Sequence, residues 1–119
     1  PMQSRIANGD ITVTYTDGTT DSLLLVNPDN WCPIEQDYFV DGKAFYTSVP
    51  RPYRIGLSTG IISRDISDSL GIKGANRIIP GGAAEVIKMN LNPDKRLRNM
   101  CLRTLSNDVV IGLMAVTLQ

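Results

Sequence analysis

The chain has 119 residues and a mass of 13.0 kDa, the size of one domain with its own hydrophobic core. Twelve basic residues balance twelve acidic ones, which argues against an electrostatic nucleic-acid binder, because such proteins carry a basic excess. The sequence contains no histidine, and this excludes a histidine general base, a Ser-His-Asp or Cys-His site and a histidine-ligated zinc.

The ends of the chain and its apolar runs bear on domain organisation. No apolar run reaches the roughly 18 residues that a membrane-spanning helix needs, so we expect no membrane span. The chain begins with Pro1 and not with Met. We therefore interpret residues 1–119 as a single domain that is a fragment of a longer multidomain protein. Cys32 and Cys101 leave two possibilities open: a disulfide in an oxidising compartment, or two separate, partly buried thiols.

The first predicted element is a β-hairpin. Residues 11–16 alternate strictly, with apolar side chains on one face and threonines on the other, which is typical of a half-buried strand. Asp17-Gly18 is a strong signal for a tight turn, and residues 23–26 form the returning strand. The turn residues at 27–30 then end the hairpin.

The middle of the chain predicts shorter elements. Residues 31–37 form an irregular loop, because Pro33 lacks the N–H group that a central strand requires. Residues 38–46 predict a second, short hairpin. A further strand is predicted over residues 53–58 and a single helical turn over residues 65–71.

Three predicted strands close the chain, over residues 83–91, 97–105 and 109–118. The last one is apolar on both faces, whereas a strand of an isolated sandwich has a polar outer face. We therefore expect its outer face to be covered by a loop, a second layer or a neighbouring domain. Basic residues cluster between residues 95 and 103, which indicates either a solvated strand edge or a contact with phosphate or a sulfated glycan.

The spacing of these elements predicts the fold class. Short strands about ten residues apart, separated by Gly, Pro, Asn and Asp turns, are typical of an all-β protein with an antiparallel β-sandwich. A jelly-roll-like sandwich of the galactose-binding-domain kind is the expected form, and the strand order stays open.

Exposed aromatic rings are the main candidates for a binding site, since sugar-binding proteins stack pyranose rings on flat apolar faces. We hypothesise a carbohydrate site in which aromatic rings stack and neighbouring charged groups bind hydroxyls, formed by Trp31, Tyr38, Tyr53, Glu35, Asp37 and Arg51. Two other interpretations of the tryptophan stay open, namely burial in the core and contact with a partner domain.

The acidic residues of the same loop suggest two further chemistries. Glu35 and Asp37 would face one side of an extended segment, but a glycosidase needs two carboxylates about 5 to 9.5 Å apart across a cleft. Together with Asp29 they could also supply oxygens to calcium, although no EF-hand spacing is present. Carboxylates on one short loop more often cap the chain or remain solvated, so we predict no catalytic residue, no metal site and no cofactor.

Three stretches carry a resemblance to a known family. Residues 27–38 (NPDNWCPIEQDY) follow a threonine-rich hairpin, residues 80–86 (PGGAAEV) open a strand, and residues 102–118 end the chain. Together they resemble the C-terminal β-sandwich region of a family of large uncharacterised proteins from gram-negative gut bacteria. Those proteins look like exported glycoside hydrolases with an α/α-toroid catalytic domain. The resemblance covers most of the chain and includes no catalytic signature.

The resemblance implies a non-catalytic accessory domain of a glycoside-hydrolase-like protein, located in the periplasm or outside the cell. Its partner would be the neighbouring domain of the same parent chain, an expectation that the two-faced last strand also favours. The alternative is a carbohydrate-binding module that stacks sugars on exposed aromatic rings. A third possibility, an enzyme in its own right, would need a histidine-free site with two converging carboxylates.

Overall fold

A computed structural model describes residues 6–27, 29–37, 51–72, 78–105 and 110–119. The elements in these ranges are β1 (Ala7–Tyr15), β2 (Thr20–Val26), β3 (Arg54–Gly56), β4 (Ile62–Ser63), α1 (Ile66–Ser69), β5 (Ala83–Glu85) and β6 (Leu97–Thr104). The strands form two antiparallel three-stranded sheets, ordered β2-β1-β6 and β4-β3-β5. The predicted all-β class is confirmed, whereas the predicted hairpin over residues 38–46 lies outside the described residues.

The predicted first hairpin is confirmed. β1 and β2 pair antiparallel, with Ile11 opposite Leu23. Gly18 in the turn has a φ of 87°, which residues with a Cβ rarely adopt. Asp17 stabilises the turn, because its Oδ1 accepts hydrogen bonds from the backbone N–H and the hydroxyl of Thr19 at 2.9 and 2.6 Å.

The first sheet has one apolar and one polar face, as the alternation in β1 predicts. The fully buried apolar side chains of this sheet are Val13, Tyr15 and Leu25. On the polar face, the hydroxyls of Thr12 and Ser22 form a hydrogen bond of 3.0 Å between opposite residues of β1 and β2. The faces therefore follow the period of two that the sequence shows.

β6 forms an edge of the first sheet within the described part of the chain, and it carries much of the basic cluster. Arg103 donates two hydrogen bonds to the Asp10 carboxylate on β1, at 3.0 and 2.6 Å. This pairing holds the pKa of Asp10 below its usual range. Arg98 is exposed. Charges along an edge strand oppose pairing with a foreign sheet, which supports the solvated-edge interpretation.

Tyr15 joins the first sheet to the turn at residues 92–95. Its hydroxyl donates to Asp21 Oδ2 at 2.6 Å and accepts a hydrogen bond from the Asn92 N–H at 2.8 Å. Lys95 lies with its Nζ 5.8 Å from the centre of the Tyr15 ring and 3.0 Å from Asp17 Oδ2. The turn between β1 and β2 and the turn before β6 therefore lie together at one end of the sheet.

A small core lies beside the second sheet. Its buried members are Ile66, Ile79 and Ala83, and two partly buried side chains, Leu70 and Ile72, pack against them. α1 confirms the helical turn predicted over residues 65–71. This short helix supplies part of the apolar cover that three short strands cannot provide for themselves.

The strand predicted over residues 83–91 is wrong in extent, because β5 ends at Glu85. One more backbone hydrogen bond follows, from the Val86 N–H to the Tyr53 carbonyl at 2.8 Å. The chain then leaves the second sheet, since it must reach the turn at residues 92–95 on the first sheet.

The strand predicted over residues 109–118 is also wrong, because residues 110–119 adopt no strand. A strand needs a neighbour to pair its backbone groups, and within the described residues no strand lies beside this segment. Ile111 reaches the first sheet, where its Cδ1 occupies the place that a Cβ on Gly9 would take. Most of the following side chains are exposed.

Candidate functional site

The loop over residues 31–37 carries most of the candidate residues and runs beside the segment that leads into β5. The Ala83 N–H donates to the Ile34 carbonyl at 2.8 Å. The Ile79 N–H donates to the Glu35 carbonyl at 2.7 Å. An irregular loop is therefore held by backbone pairing at its centre, which gives its side chains fixed positions.

Glycines make this approach possible. Gly81 and Gly82 both have a φ of 79° in the turn that follows Pro80. A Cβ on Gly82 would stand 2.9 Å from Ile34 Cγ1, which is closer than real Cβ contacts allow. The Pro-Gly-Gly motif thus serves the contact between the loop and β5.

Arg54 holds the loop over residues 31–37 in place through hydrogen bonds to backbone carbonyls. Its side chain is only 4% exposed, and its guanidinium donates to the carbonyls of Gln36 and, at 3.0 Å, of Ala83. Two longer bonds of 3.3 Å reach the carbonyls of Pro33 and Ile34. A buried guanidinium needs several hydrogen-bond acceptors, and these carbonyl groups supply them. Arg54 therefore has a structural role, because it links the backbone of the loop to β5.

Cys32 and Glu85 form a buried polar pair beside Arg54. The thiol donates to Glu85 Oε1 at 2.7 Å. Burial, followed by the nearby carboxylate, raises the pKa of the Cys32 thiol far above its usual range, and burial also raises the pKa of Glu85. A thiol kept neutral is a poor nucleophile.

The two cysteines are separate thiols. Cys32 is buried, whereas Cys101 is exposed on β6. Of the two possibilities that the sequence left open, the disulfide is therefore not formed and the two thiols are separate. Only Cys32 is buried, whereas partial burial of both was expected.

Arg51 binds two carboxylates. Its guanidinium contacts Asp37 Oδ1 at 2.8 Å and Asp65 Oδ1 at 2.7 Å. The Asp37 side chain is 2% exposed, whereas Glu35 is exposed, because a turn at residues 34–35 interrupts the extended path. The two carboxylates of this loop therefore do not face one side, and one of them is committed to an ion pair.

A cleft of about 630 Å³ lies between β2 and the residues that flank β3 and β5. Tyr53 and Arg51 line it, but Trp31, Glu35 and Asp37 are not among its lining residues. Trp31 is partly buried, and Tyr38 lies outside the described residues. The structure therefore brings two of the six predicted site residues to one cleft, with Asp37 joined to them through its ion pair.

The exposed ring of Tyr53 already has a partner. Tyr53 is 46% exposed, and the guanidinium carbon of Arg64 lies 4.5 Å from its ring centre, the distance of a cation–π contact. Arg64 and Lys88 both line the cleft, and sequence reasoning missed both. Isolated exposed cations give no signal in a sequence, since only the fold brings them together.

Asn30 lines this cleft and binds β2, which is an edge strand of the first sheet within the described residues. Its Oδ1 accepts a hydrogen bond from the Val26 N–H at 2.7 Å, and its Nδ2 donates to the Leu24 carbonyl at 2.8 Å. A side-chain amide thereby occupies backbone groups that a further strand would otherwise bind. Asn30, one of the turn residues predicted over 27–30, thus protects this strand edge.

Among the described residues, no group of three or more Cys, Asp or Glu side chains is arranged to hold a metal ion. Asp29, Glu35 and Asp37 accordingly do not form a common oxygen cluster there. No helix in the described ranges has the length and apolarity needed to cross a bilayer. Comparisons of this chain with protein-family models, curated proteins and solved structures give no match.

Proposed function

We propose that this chain is a non-catalytic accessory domain that packs against a neighbouring domain of a glycoside-hydrolase-like protein. The observation that carries the proposal is the apolar segment, residues 110–118. Its large side chains that are more than half exposed are Val110, Leu113, Met114, Val116 and Leu118, and Val110 reaches 92%. Contiguous exposed apolar residues of this kind mark interaction surfaces.

The energetics favour a covered segment. Fully burying an aliphatic side chain stabilises a protein by about 1.5 to 3 kcal/mol, so each of these residues leaves on the order of 1 kcal/mol unrealised in water. A neighbouring domain that covers these side chains would recover this free energy. The same cover would supply partners for the backbone groups of the segment.

The loop chemistry supports a role without catalysis. Asp37 is buried in an ion pair with Arg51, while Glu35 points to solvent, so this loop offers no converging acid–base pair. The Cys32 thiol is buried and bonded to Glu85. Asp37 and Cys32 thus have structural roles, and Glu35 is exposed to solvent without a second carboxylate of the described loop facing it.

The proposal includes a finer fold, a β-sandwich of the jelly-roll kind. Support comes from two antiparallel sheets, from the single apolar face of the sheet formed by β2, β1 and β6, and from the further strands predicted over residues 38–46. An apolar sheet face needs a second layer, and a facing sheet is the usual one in all-β proteins.

The alternative, a carbohydrate-binding module, has weaker support. Tyr53 is exposed in the cleft, but Arg64 already covers its ring and the walls are largely aliphatic. A sugar ring could stack on Tyr53 only by displacing the Arg64 guanidinium from this face. Titration calorimetry with plant and host oligosaccharides separates the two functions without relying on Trp31, which does not line the cleft, and we expect no binding.

Detection of the native protein tests the proposed function. An antibody against the 119-residue chain, applied to fractions of the cells that make it, should detect a polypeptide far larger than 13.0 kDa in the periplasmic or extracellular fraction. A native product of 13.0 kDa would contradict the accessory role, and a cytoplasmic location would contradict export.

A further inference from the structure

The cleft beside β2 has the size and lining of a small-ligand site. Its volume of about 630 Å³ falls within the roughly 300–1,000 Å³ typical of such sites. Its aliphatic lining residues include Leu23, Leu24 and Val26 of β2 and Val86 and Ile87 after β5. The ligand must therefore present an apolar body to these walls.

Two cations at this cleft have no acidic partner. Arg51, which also lines the cleft, is bound by Asp37 and Asp65. Arg64 and Lys88 are exposed and form no ion pair with any residue in the described ranges. Basic residues thus outnumber acidic ones along the described lining.

Arg64 is also held in position. Its guanidinium stacks over the Tyr53 ring at 4.5 Å. Stacking uses the flat face of a guanidinium and leaves the N–H groups at its edge for an acceptor. A carboxylate binds such an edge through charge-assisted hydrogen bonds, which are among the strongest that proteins form.

We infer that the cleft binds a carboxylate attached to an apolar body, such as an alkyl or aryl carboxylate. The aliphatic walls take the body, and Arg64 and Lys88 take the charge. A neutral sugar would leave the charges of Arg64 and Lys88 without a counter-charge, and some of its hydroxyls would lose water against the aliphatic part of the lining. The inference does not depend on the proposed packing role, which rests on residues 110–118.

Dansyl-undecanoate, a fluorescent fatty-acid analogue, tests the inference, with its methyl ester as the matched uncharged probe. We expect saturable binding of the acid at one site per chain, and binding of the ester at least about tenfold weaker, because the ester lacks the charge. Added salt should weaken the binding of the acid more than the binding of the ester. No binding of the acid, or equal binding of both probes, would overturn the inference.

Variants locate the site. Arg64→Gln and Lys88→Gln should each lower the affinity for the acid about three- to tenfold and leave the affinity for the ester unchanged. Arg98→Gln, which removes an exposed cation on β6 away from the cleft, is the matched control and should change neither affinity. Leu24→Trp should block both probes by filling the cleft.

Circular dichroism checks that each variant folds. Binding that survives both the charge variants and Leu24→Trp would place the probe elsewhere, for example on residues 110–118, and would overturn the inference. The proposed packing role would be unaffected by that result, so the two proposals fail separately.

Discussion

At the scale of single residues, Arg54 shows what an alternating pattern can and cannot predict. The pattern over residues 53–58 predicts that Tyr53, Ile55 and Leu57 share a face. In the structure Tyr53 and Leu57 are exposed, while Arg54 and Gly56 are buried. Hydrophobicity alone predicts the reverse, because it does not register that a loop of this chain supplies carbonyl acceptors for a buried guanidinium.

Arg54→Leu tests this dependence. We expect a loss of about 3 to 5 kcal/mol in the free energy of unfolding, because the carbonyls of the loop lose their donor and Glu85 loses a nearby positive charge. Urea unfolding measures the loss. Arg98→Leu, at an exposed site on β6, should stay within about 0.5 kcal/mol, and a similarly small loss for Arg54→Leu would contradict its structural role.

Asp17 links stability to pH. Hydrogen bonds from Thr19, followed by Lys95, lower the pKa of Asp17 from 3.8 to about 2. Since the folded chain favours the ionised carboxylate, the stabilisation is complete above pH 3.8 and is lost as pH falls through about 2. Wild type should therefore exceed Asp17→Asn in stability above about pH 4, and this advantage should disappear near pH 2.

Unfolding curves across that pH range measure the effect. Thr19→Ala should reduce the pH dependence, because the Thr19 hydroxyl makes the largest contribution to the lowered pKa of Asp17. If the free energies of unfolding of Asp17→Asn and wild type differ by the same amount at pH 2 and pH 5, the Asp17 side chain does not stabilise the fold through its ionisation.

At the scale of elements, local signals predicted what local contacts determine. The hairpin around Gly18 and the helical turn α1 follow from turn residues and short periodicities. Strand β6 was also predicted from its periodicity, although its partner β1 is distant in sequence. The strand predicted over residues 83–91, of which only residues 83–85 form, and the strand predicted over residues 109–118 would both need distant partners along their whole length. A strand forms only where another strand lies beside it, and an apolar alternating sequence does not say whether one does.

Gly9 and Ile111 test where the apolar segment begins. A Cβ on Gly9 would meet Ile111 Cδ1 and would stand 2.6 Å from the Arg103 carbonyl oxygen. Gly9→Ala should therefore cost about 1 to 3 kcal/mol in the free energy of unfolding. Ile111→Ala in the same chain should recover part of that cost and leave the part due to the backbone.

A double-mutant cycle over these two positions measures the coupling. We expect a coupling of at least about 0.5 kcal/mol. Strict additivity of the two substitutions would show that Ile111 does not lie on the first sheet.

At the scale of the whole molecule, composition and spacing predicted the all-β class, and the structure confirms it with two antiparallel sheets. The candidate site was harder to predict. Tyr53 and Arg51 do reach one cleft, but Arg64 and Lys88 are joined to it only by the fold. The functional proposal rests on a different feature, the exposed apolar residues of the segment 110–118.

Amide hydrogen exchange of residues 110–118, compared between the 119-residue chain and the native protein, tests that central claim most directly. In the 119-residue chain these amides should exchange at the rate of unstructured peptide, because the segment adopts no strand. In the native protein we expect exchange to slow at least about a hundredfold, since a neighbouring domain covers the segment. Equally fast exchange in both would contradict docking of this segment on a neighbouring domain.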